Sequence, residues 1–288
     1  MKAIVNMACG LANRMFQYSF YLYLHKAGWD VSIDYTRKAK LPHESVDWEQ
    51  IFPNATFTEA SKFKVFLLGG GSNLISKLRR RFTPRATRVI NMPSAFSYDL
   101  PKIDESYIIG VFQSAAMIEN IDIEVHKAFE FKPFSNGRNK ELMDEIKSCN
   151  SVGIHIRKGN DYCSRIWYQN TCSPDYYKKA IKEISKHIES PKFYVFTDNP
   201  KWVKDNLSDI DYTLVQNNPT VGWGSHFDMQ LMSYCHHNII SNSTYSWWGA
   251  YLNQNEDKIV VCPNAWFNPN SCKDWTSKSI LCSKWIAI

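Results

Sequence analysis

Histidine and arginine two residues apart, with a lysine, an asparagine and an aspartate close behind, occur in His155-Ile156-Arg157-Lys158-Gly159-Asn160-Asp161-Tyr162. Along a strand, alternation sends His155 and Arg157 to the same face. Gly159 ends the strand, so Arg157 falls near its carboxyl end, where open α/β sheets bind ligands. A guanidinium grips a diphosphate through two hydrogen bonds and keeps its charge. His155 and Asp161 are the nearby candidates for a general base. The plainer alternative is a core histidine and a surface arginine, but the crowding of His155, Arg157 and Lys158 favours a ligand site.

Three further segments carry chemistry. Asn238-Ile239-Ile240-Ser241-Asn242-Ser243-Thr244-Tyr245-Ser246-Trp247-Trp248-Gly249 runs from a strand through hydroxyl-rich residues into a helix. Ser243, Thr244 and Ser246, with the N–H groups of the helix start, can cradle a phosphate. A helix cap alone would account for one of those serines, not the run. Phe193-Tyr194-Val195-Phe196-Thr197-Asp198 ends a strand in an acid. Asp198 can accept from guanine N1–H and N2–H₂ or a ribose hydroxyl, or it can cap the helix beginning near Pro200. After the first strand, Gly10-Leu11-Ala12-Asn13-Arg14 offers Gly10 for a tight turn and places Asn13 near a helix N-terminus open to an anion. A turn glycine and a capping asparagine explain that segment equally simply.

The elements that must position these residues follow an α/β rhythm. At 288 residues the chain is long for one core and comfortable for two domains. Strands are expected at Ala3–Met7, Val31–Asp34, Tyr107–Val111, Ser151–Ile156, Lys192–Phe196, Asn238–Ile240 and Ile259–Val261. Helices are expected at Met15–Lys26, Asp175–Ile188, Lys201–Leu207, Asp228–His236 and Tyr245–Asn253. The stretch from Tyr35 to Asp104, including Gly69-Gly70-Gly71-Ser72, is irregular. Pro133, Ser135, Asn136 and Gly137 mark a linker, giving domains 1–135 and 136–288. Two such halves point to a sugar-nucleotide enzyme with a cleft between them.

Composition narrows the options. Apolar residues at 44% and charged residues at 22% are ordinary for a globular chain. Ten Trp and fifteen Tyr suit sugar rings as well as a core. A net charge of +6 fits an anionic ligand or membrane surface; the cations form no long arm, and no nucleic-acid partner is expected. The main basic cluster is Lys77, Arg79, Arg80, Arg81, Arg85 and Arg88. Eight Cys without a C-x-x-C pair argue against zinc and for a reducing compartment. Asp209-Ile210-Asp211 looks like the acidic pair of metal-using glycosyltransferases but reads as a solvated turn. No signal peptide and no apolar run of membrane-spanning length are evident, so a cytoplasmic location is expected, with peripheral contact at an anionic inner membrane through the basic cluster.

Taken together, the four segments resemble the bacterial α-1,2-fucosyltransferases of glycosyltransferase family 11 over nearly the whole length. The His-x-Arg and Asn-Ser-Thr-Tyr-Ser-Trp-Trp-Gly segments are the most specific. The family usually reads His-x-Arg-Arg-Gly-Asp-Tyr; here Lys158 replaces the second arginine and Asn160 separates Gly159 from Asp161. The resemblance implies a GT-B-type α/β fold, two Rossmann-like domains facing across a cleft, with an acceptor-side N-terminal domain and a GDP-fucose-binding C-terminal domain. It implies GDP-fucose as donor, no metal or other cofactor, Arg157 on the donor pyrophosphate, and Asn242, Ser243, Thr244, Tyr245 and Ser246 around the donor. The expected reaction is inverting transfer to a terminal galactose of an oligosaccharide or lipid-linked glycan, in O-antigen or capsule synthesis. A fucosyltransferase of another linkage and a non-catalytic glycan-binding protein are the alternatives.

Overall fold

The computed structural model describes residues 1–35, 46–71, 74–82, 88–92, 104–135, 137–268, 270–272 and 279–288; the side chains of Arg80 and Asp161 lie outside that description, as do Ser72, Arg85 and Asn136. The chain forms two compact α/β units, Met1–Glu130 and Phe131–Ile288.

The first unit has a four-stranded parallel sheet in the order β2-β1-β4-β3, made of β1 (Lys2–Asn6), β2 (Asp30–Asp34), β3 (Val89–Asn91) and β4 (Ser106–Ile109). Helix α1 (Leu11–Lys26) follows β1. Its residues Leu11, Met15, Phe16, Tyr18, Phe20 and Leu24 are buried. Leu and Met favour the helix, and the apolar positions recur at three- and four-residue intervals. Short helices α2 (Trp48–Ile51), α3 (Lys62–Leu67), α4 (Leu74–Phe82), α5 (Ala115–Asn120) and α6 (Asp122–Ala128) complete the unit. Among its described residues, the less regular stretch before Asp104 thus holds three helices and a strand. Two of its described basic side chains are engaged within the unit. Arg88 pairs with Glu105 at 2.8 Å, and Arg79 donates to the Phe66 carbonyl.

The second unit has a six-stranded parallel sheet in the order β10-β9-β8-β5-β6-β7, made of β5 (Ser151–Ile156), β6 (Lys192–Thr197), β7 (Thr213–Val215), β8 (His237–Ile239), β9 (Val260–Cys262) and β10 (Ile286–Ala287). All six residues of β5 are buried, as a strand paired on both sides and covered on both faces requires. The helices are α7 (Arg138–Lys147), α8 (Asn160–Cys163), α9 (Pro174–Ile184), α10 (Pro200–Asn206), α11 (Phe227–Tyr234) and α12 (Thr244–Tyr251). Ser173 caps α9 and Asn199 caps α10, each followed by Pro at the first helical position. Six of the eight α12 residues are buried. A side chain at Gly249 would stand 3.0 Å from Met232 Cβ, so this glycine lets α12 close on α11.

None of the eight cysteines is joined in a disulfide. Among the described residues, no helix is long and apolar enough to cross a membrane.

Candidate functional site

Strand order locates the site in each unit. In the second unit the chain proceeds from β5 outward through β6 and β7, then returns to the other side of β5 with β8 and runs outward again. The two helical layers therefore part between β5 and β8, at their carboxyl ends, which is where ligands bind in open α/β sheets. Arg157 follows β5 there, and Ser241 to Thr244 follow β8 and start α12. Across that point His155 Nδ1 and Ser241 Oγ share a hydrogen bond of 2.8 Å.

The end of β6 grips the Arg157–Lys158 turn. Asp198 Oδ2 lies 2.7 Å from Arg157 Nη1, and Asp198 Oδ1 accepts from the Lys158 N–H at 2.7 Å. Asn199 Nδ2 donates to the Lys158 carbonyl at 2.9 Å, and Thr197 Oγ1 donates to the Ile156 carbonyl at 2.8 Å. The guanidinium is thus aimed by neighbours yet stays 33% exposed, while Asp198 is only 15% exposed. Asp198 does not cap α10; Asn199 does, accepting from the Trp202 N–H at 3.0 Å. Lys158 lies over the Trp202 ring at 5.3 Å and donates to the Thr171 carbonyl at 3.3 Å. Tyr162 stands 5.9 Å from the Arg157 guanidinium and stacks on Tyr168, with centroids 4.3 Å apart.

The residues from Asn242 to Ser246 share this end of the sheet but divide their labour. Asn242 is buried and spent on the chain: Nδ2 donates to the Trp266 carbonyl, and Oδ1 accepts from Cys172 Sγ. Ser243 Oγ caps α12 by accepting from the Tyr245 N–H. Ser246 Oγ donates to the Ser241 and Ser243 carbonyls. Tyr245 OH donates to the Ser225 carbonyl at 2.7 Å and accepts from the Met229 N–H at 3.0 Å. Thr244 is half-buried in the first turn. What this segment presents to an anion is therefore the N-terminus of α12 more than its row of hydroxyls.

His155 is buried, and burial, helped by the Arg157 charge, lowers its pKa from 6.5 to about 3. The imidazole is neutral near pH 7 and a weak base. Because the unfolded state binds the proton more readily, His155 contributes stability that is intact above pH 6.5 and is lost as pH falls from there toward 3. His226, buried beside Phe131 and lowered to about 4, acts in the same direction. We expect the melting temperature to drop between pH 7 and pH 5, and His155→Gln to show a shallower drop than the wild type in melts at both values.

In the first unit the chain runs from β1 outward to β2 and returns with β3 and β4 on the other side, so its strand order parts between β1 and β4. Gln17 bridges that point: Oε1 accepts from the Ala8 N–H at 2.8 Å, and Nε2 donates to the Gly110 carbonyl at 2.9 Å. The tight turn belongs to Cys9, at φ 77°, and not to Gly10, whose backbone is extended at φ −73°. A non-glycine residue in this region costs about 1–3 kcal/mol and persists only where its surroundings hold it. Arg14 supplies the hold. Its Nε donates to the Cys9 carbonyl at 2.8 Å, and its Nη1 donates to Tyr35 OH. Asn13 Oδ1 accepts from Gln113 Nε2 at 3.2 Å. Gly10 and Asn13 are thus together at the start of α1, in the first unit; His155, Arg157, Lys158, Asp198 and the Asn242–Ser246 run are together in the second.

The sequence alone gives no role to two residues of these segments, Gln17 and Asp228. Gln17 belongs to the segment that follows the first strand, but nothing local reveals its partners, which come from the turn after β1 and the residue after β4. Asp228 stands in the first turn of α11 with its pKa raised by burial, while Asn218 donates to it at 2.7 Å. Its place ahead of the serine-rich run is visible in the sequence, but the enclosure that raises its pKa is not. Asp209 lies at the surface and pairs with Lys178 at 2.8 Å. Among the described residues, no three His, Cys, Asp or Glu side chains gather as a metal site.

Residues 96–288 match the model of Glycosyl transferase family 11. The chain belongs to this family. Among relatives of this glycosyltransferase, the O-antigen biosynthesis glycosyltransferase WbnK of Escherichia coli is 40% identical over 137 residues, 46% of this chain and 44% of that protein. An α-1,2-colitosyltransferase of Escherichia coli is 35% identical over 136 residues, 44% of this chain and 45% of the other. The match thus spans less than half the length of these relatives. Among solved structures, the fucosyltransferase NodZ from Bradyrhizobium aligns over 86% of this chain and 92% of its own, at 14% identity and a TM-score of 0.48, a likeness too distant to argue from. Each of the two units is a parallel sheet with helices, a Rossmann-like α/β arrangement.

Proposed function

We propose that this glycosyltransferase moves L-fucose from GDP-β-L-fucose to a galactoside hydroxyl with inversion, forming an α-1,2-linked fucoside of a bacterial surface polysaccharide. The observation that carries the reading is Arg157, aimed by Asp198 at the carboxyl end of β5 and left partly exposed where the strand order parts. The acceptor oxygen would attack the anomeric carbon while the bond to the diphosphate breaks, its electron pair leaving with GDP. Negative charge then grows on the departing phosphate oxygens, where a fixed cation is worth most. Lys158 and the N-terminus of α12 would share that charge. The second unit takes the donor in this reading, and the first takes the acceptor. For the acceptor proton the candidates are Asp161, His155 and the half-buried Asp228, of which His155 is weakened as a base by its low pKa.

The relatives' printed names support O-antigen chemistry and an α-1,2 linkage. One of them is named for colitosyl transfer, so the donor sugar is the part most in need of test. Incubation of the protein with GDP-fucose and a panel of galactosides, with NMR of the products, should give an α-1,2-fucoside. Transfer from a colitosyl donor alone would replace fucose in this reading. Calorimetry with GDP separates an enzyme from a glycan-binding protein, which needs no grip on a diphosphate. We also expect turnover to persist in excess EDTA, since fixed cations are in place for the leaving group. Loss on chelation, restored by manganese or magnesium, would show that a metal shares that task.

A further inference from the structure

Helix α4 presents the opposite face from the one a helix on a protein surface usually shows. Two of its polar residues, Ser76 and Arg79, turn inward. Ser76 is 2% exposed, with Oγ 2.9 Å from where a side chain on Gly71 would begin. Arg79 reaches back to α3, its guanidinium 4.8 Å from the Phe66 ring. Its apolar residues turn outward: Leu74, Ile75, Leu78 and Phe82 are 71%, 64%, 44% and 73% exposed. Spacings of four residues put Leu74, Leu78 and Phe82 along one side. Helix α3 adds Phe63 and Leu67, 69% and 42% exposed.

Exposed cations flank this apolar strip, Lys77 and Arg81 on α4 and Lys62 and Lys64 on α3. From Ser61 to Phe82 the sequence contains no Asp or Glu. A contiguous exposed apolar patch of this kind marks an interaction surface. We infer that the α3–α4 surface docks on an anionic lipid bilayer. The cations meet the headgroups, and the phenylalanine, leucine and isoleucine side chains enter the boundary with the acyl chains. A second copy of the chain is the poorer occupant, because a two-fold contact sets the same patch against itself and brings cation onto cation. The inference is independent of which sugar the enzyme transfers.

The test is sedimentation of the full chain with vesicles of phosphatidylcholine alone or mixed with phosphatidylglycerol, at low and high salt. We expect sedimentation with the mixed vesicles only, with a part that resists salt because it is apolar. Lys77→Glu with Arg81→Glu should lower binding about tenfold or more, since each cation near an anionic leaflet contributes measurably. Leu78→Asp with Phe82→Asp should remove the salt-resistant part, and both positions are exposed enough for the fold to tolerate the change. Wild-type protein that stays in the supernatant with mixed vesicles at low salt overturns the inference. So does a wild-type dimer that the aspartate variant disperses without any lipid binding in either form.

Discussion

Replacing Arg157 with alanine is expected to lower kcat/KM about 10²–10³-fold, the effect of removing one donor aimed at charge that develops in the transition state. The substitution has a second effect that must be separated from the first. Asp198 sits only 15% exposed against the guanidinium, and without it keeps one partner, the Lys158 N–H. An uncompensated carboxylate in such a place destabilises the fold, by roughly 1–2 kcal/mol once its partial exposure is allowed for. The double variant Arg157→Ala with Asp198→Asn removes both charges, so it should melt near the wild type and still fail to turn over. Arg157→Lys keeps the charge but loses the planar fork, and should recover only part of the rate. Near-normal turnover by a folded Arg157→Ala protein would take this residue out of the mechanism.

Trp247→Ala is expected to cost about 3–5 kcal/mol, the range for deleting a fully buried indole. Trp247 has no exposed surface. It stacks on Tyr251 with centroids 4.8 Å apart, meets Trp248 edge-on, and donates through Nε1 to the Ile280 carbonyl at 2.6 Å. Alanine removes the packing and leaves that carbonyl without its donor. For a unit of this size the melting temperature should fall by roughly 10 °C. Trp247→Phe should recover much of the packing but not the hydrogen bond. A shift of only about 2 °C in Trp247→Ala would mean that the core closes around the gap far better than cores usually do. Because the same helix carries its N-terminus to the end of β8, activity should fall with stability.

The elements around the site were readable because local signals agreed there. The run from Ser151 to Ile156 is apolar enough for a doubly paired strand, and Ser173-Pro174 and Asn242-Ser243 announce helices by cap chemistry. What escaped was nonlocal. Asp198 could be seen at a strand end, but the register that sets β6 beside β5, and so puts the carboxylate against Arg157, is a property of the sheet. The serine-rich run looked like a phosphate cradle, yet the hydroxyls of Ser243 and Ser246 are used by the backbone around them. Propensity points to Gly10 for the turn after β1, whereas Arg14, from the following helix, holds Cys9 in that conformation and Gln17 holds Ala8 beside it. Helix α4 was unreadable for a different reason: its sequence has helical periodicity, but the apolar side faces away from the core.

The all-parallel order of the first sheet also sets a folding clock. β1 precedes its inner partner β4, which pairs Ser106 with Ala3, by roughly a hundred residues. Translation at about 5–20 residues per second leaves β1, with Ile4 and Val5, waiting on the order of 5–20 s for that partner. Parallel pairing cannot be relieved by a hairpin in the meantime. The nascent chain therefore spends that interval with a hydrophobic strand edge unprotected. Yield of folded protein should depend on chaperone capacity and growth temperature more steeply than the stability of the finished enzyme would indicate.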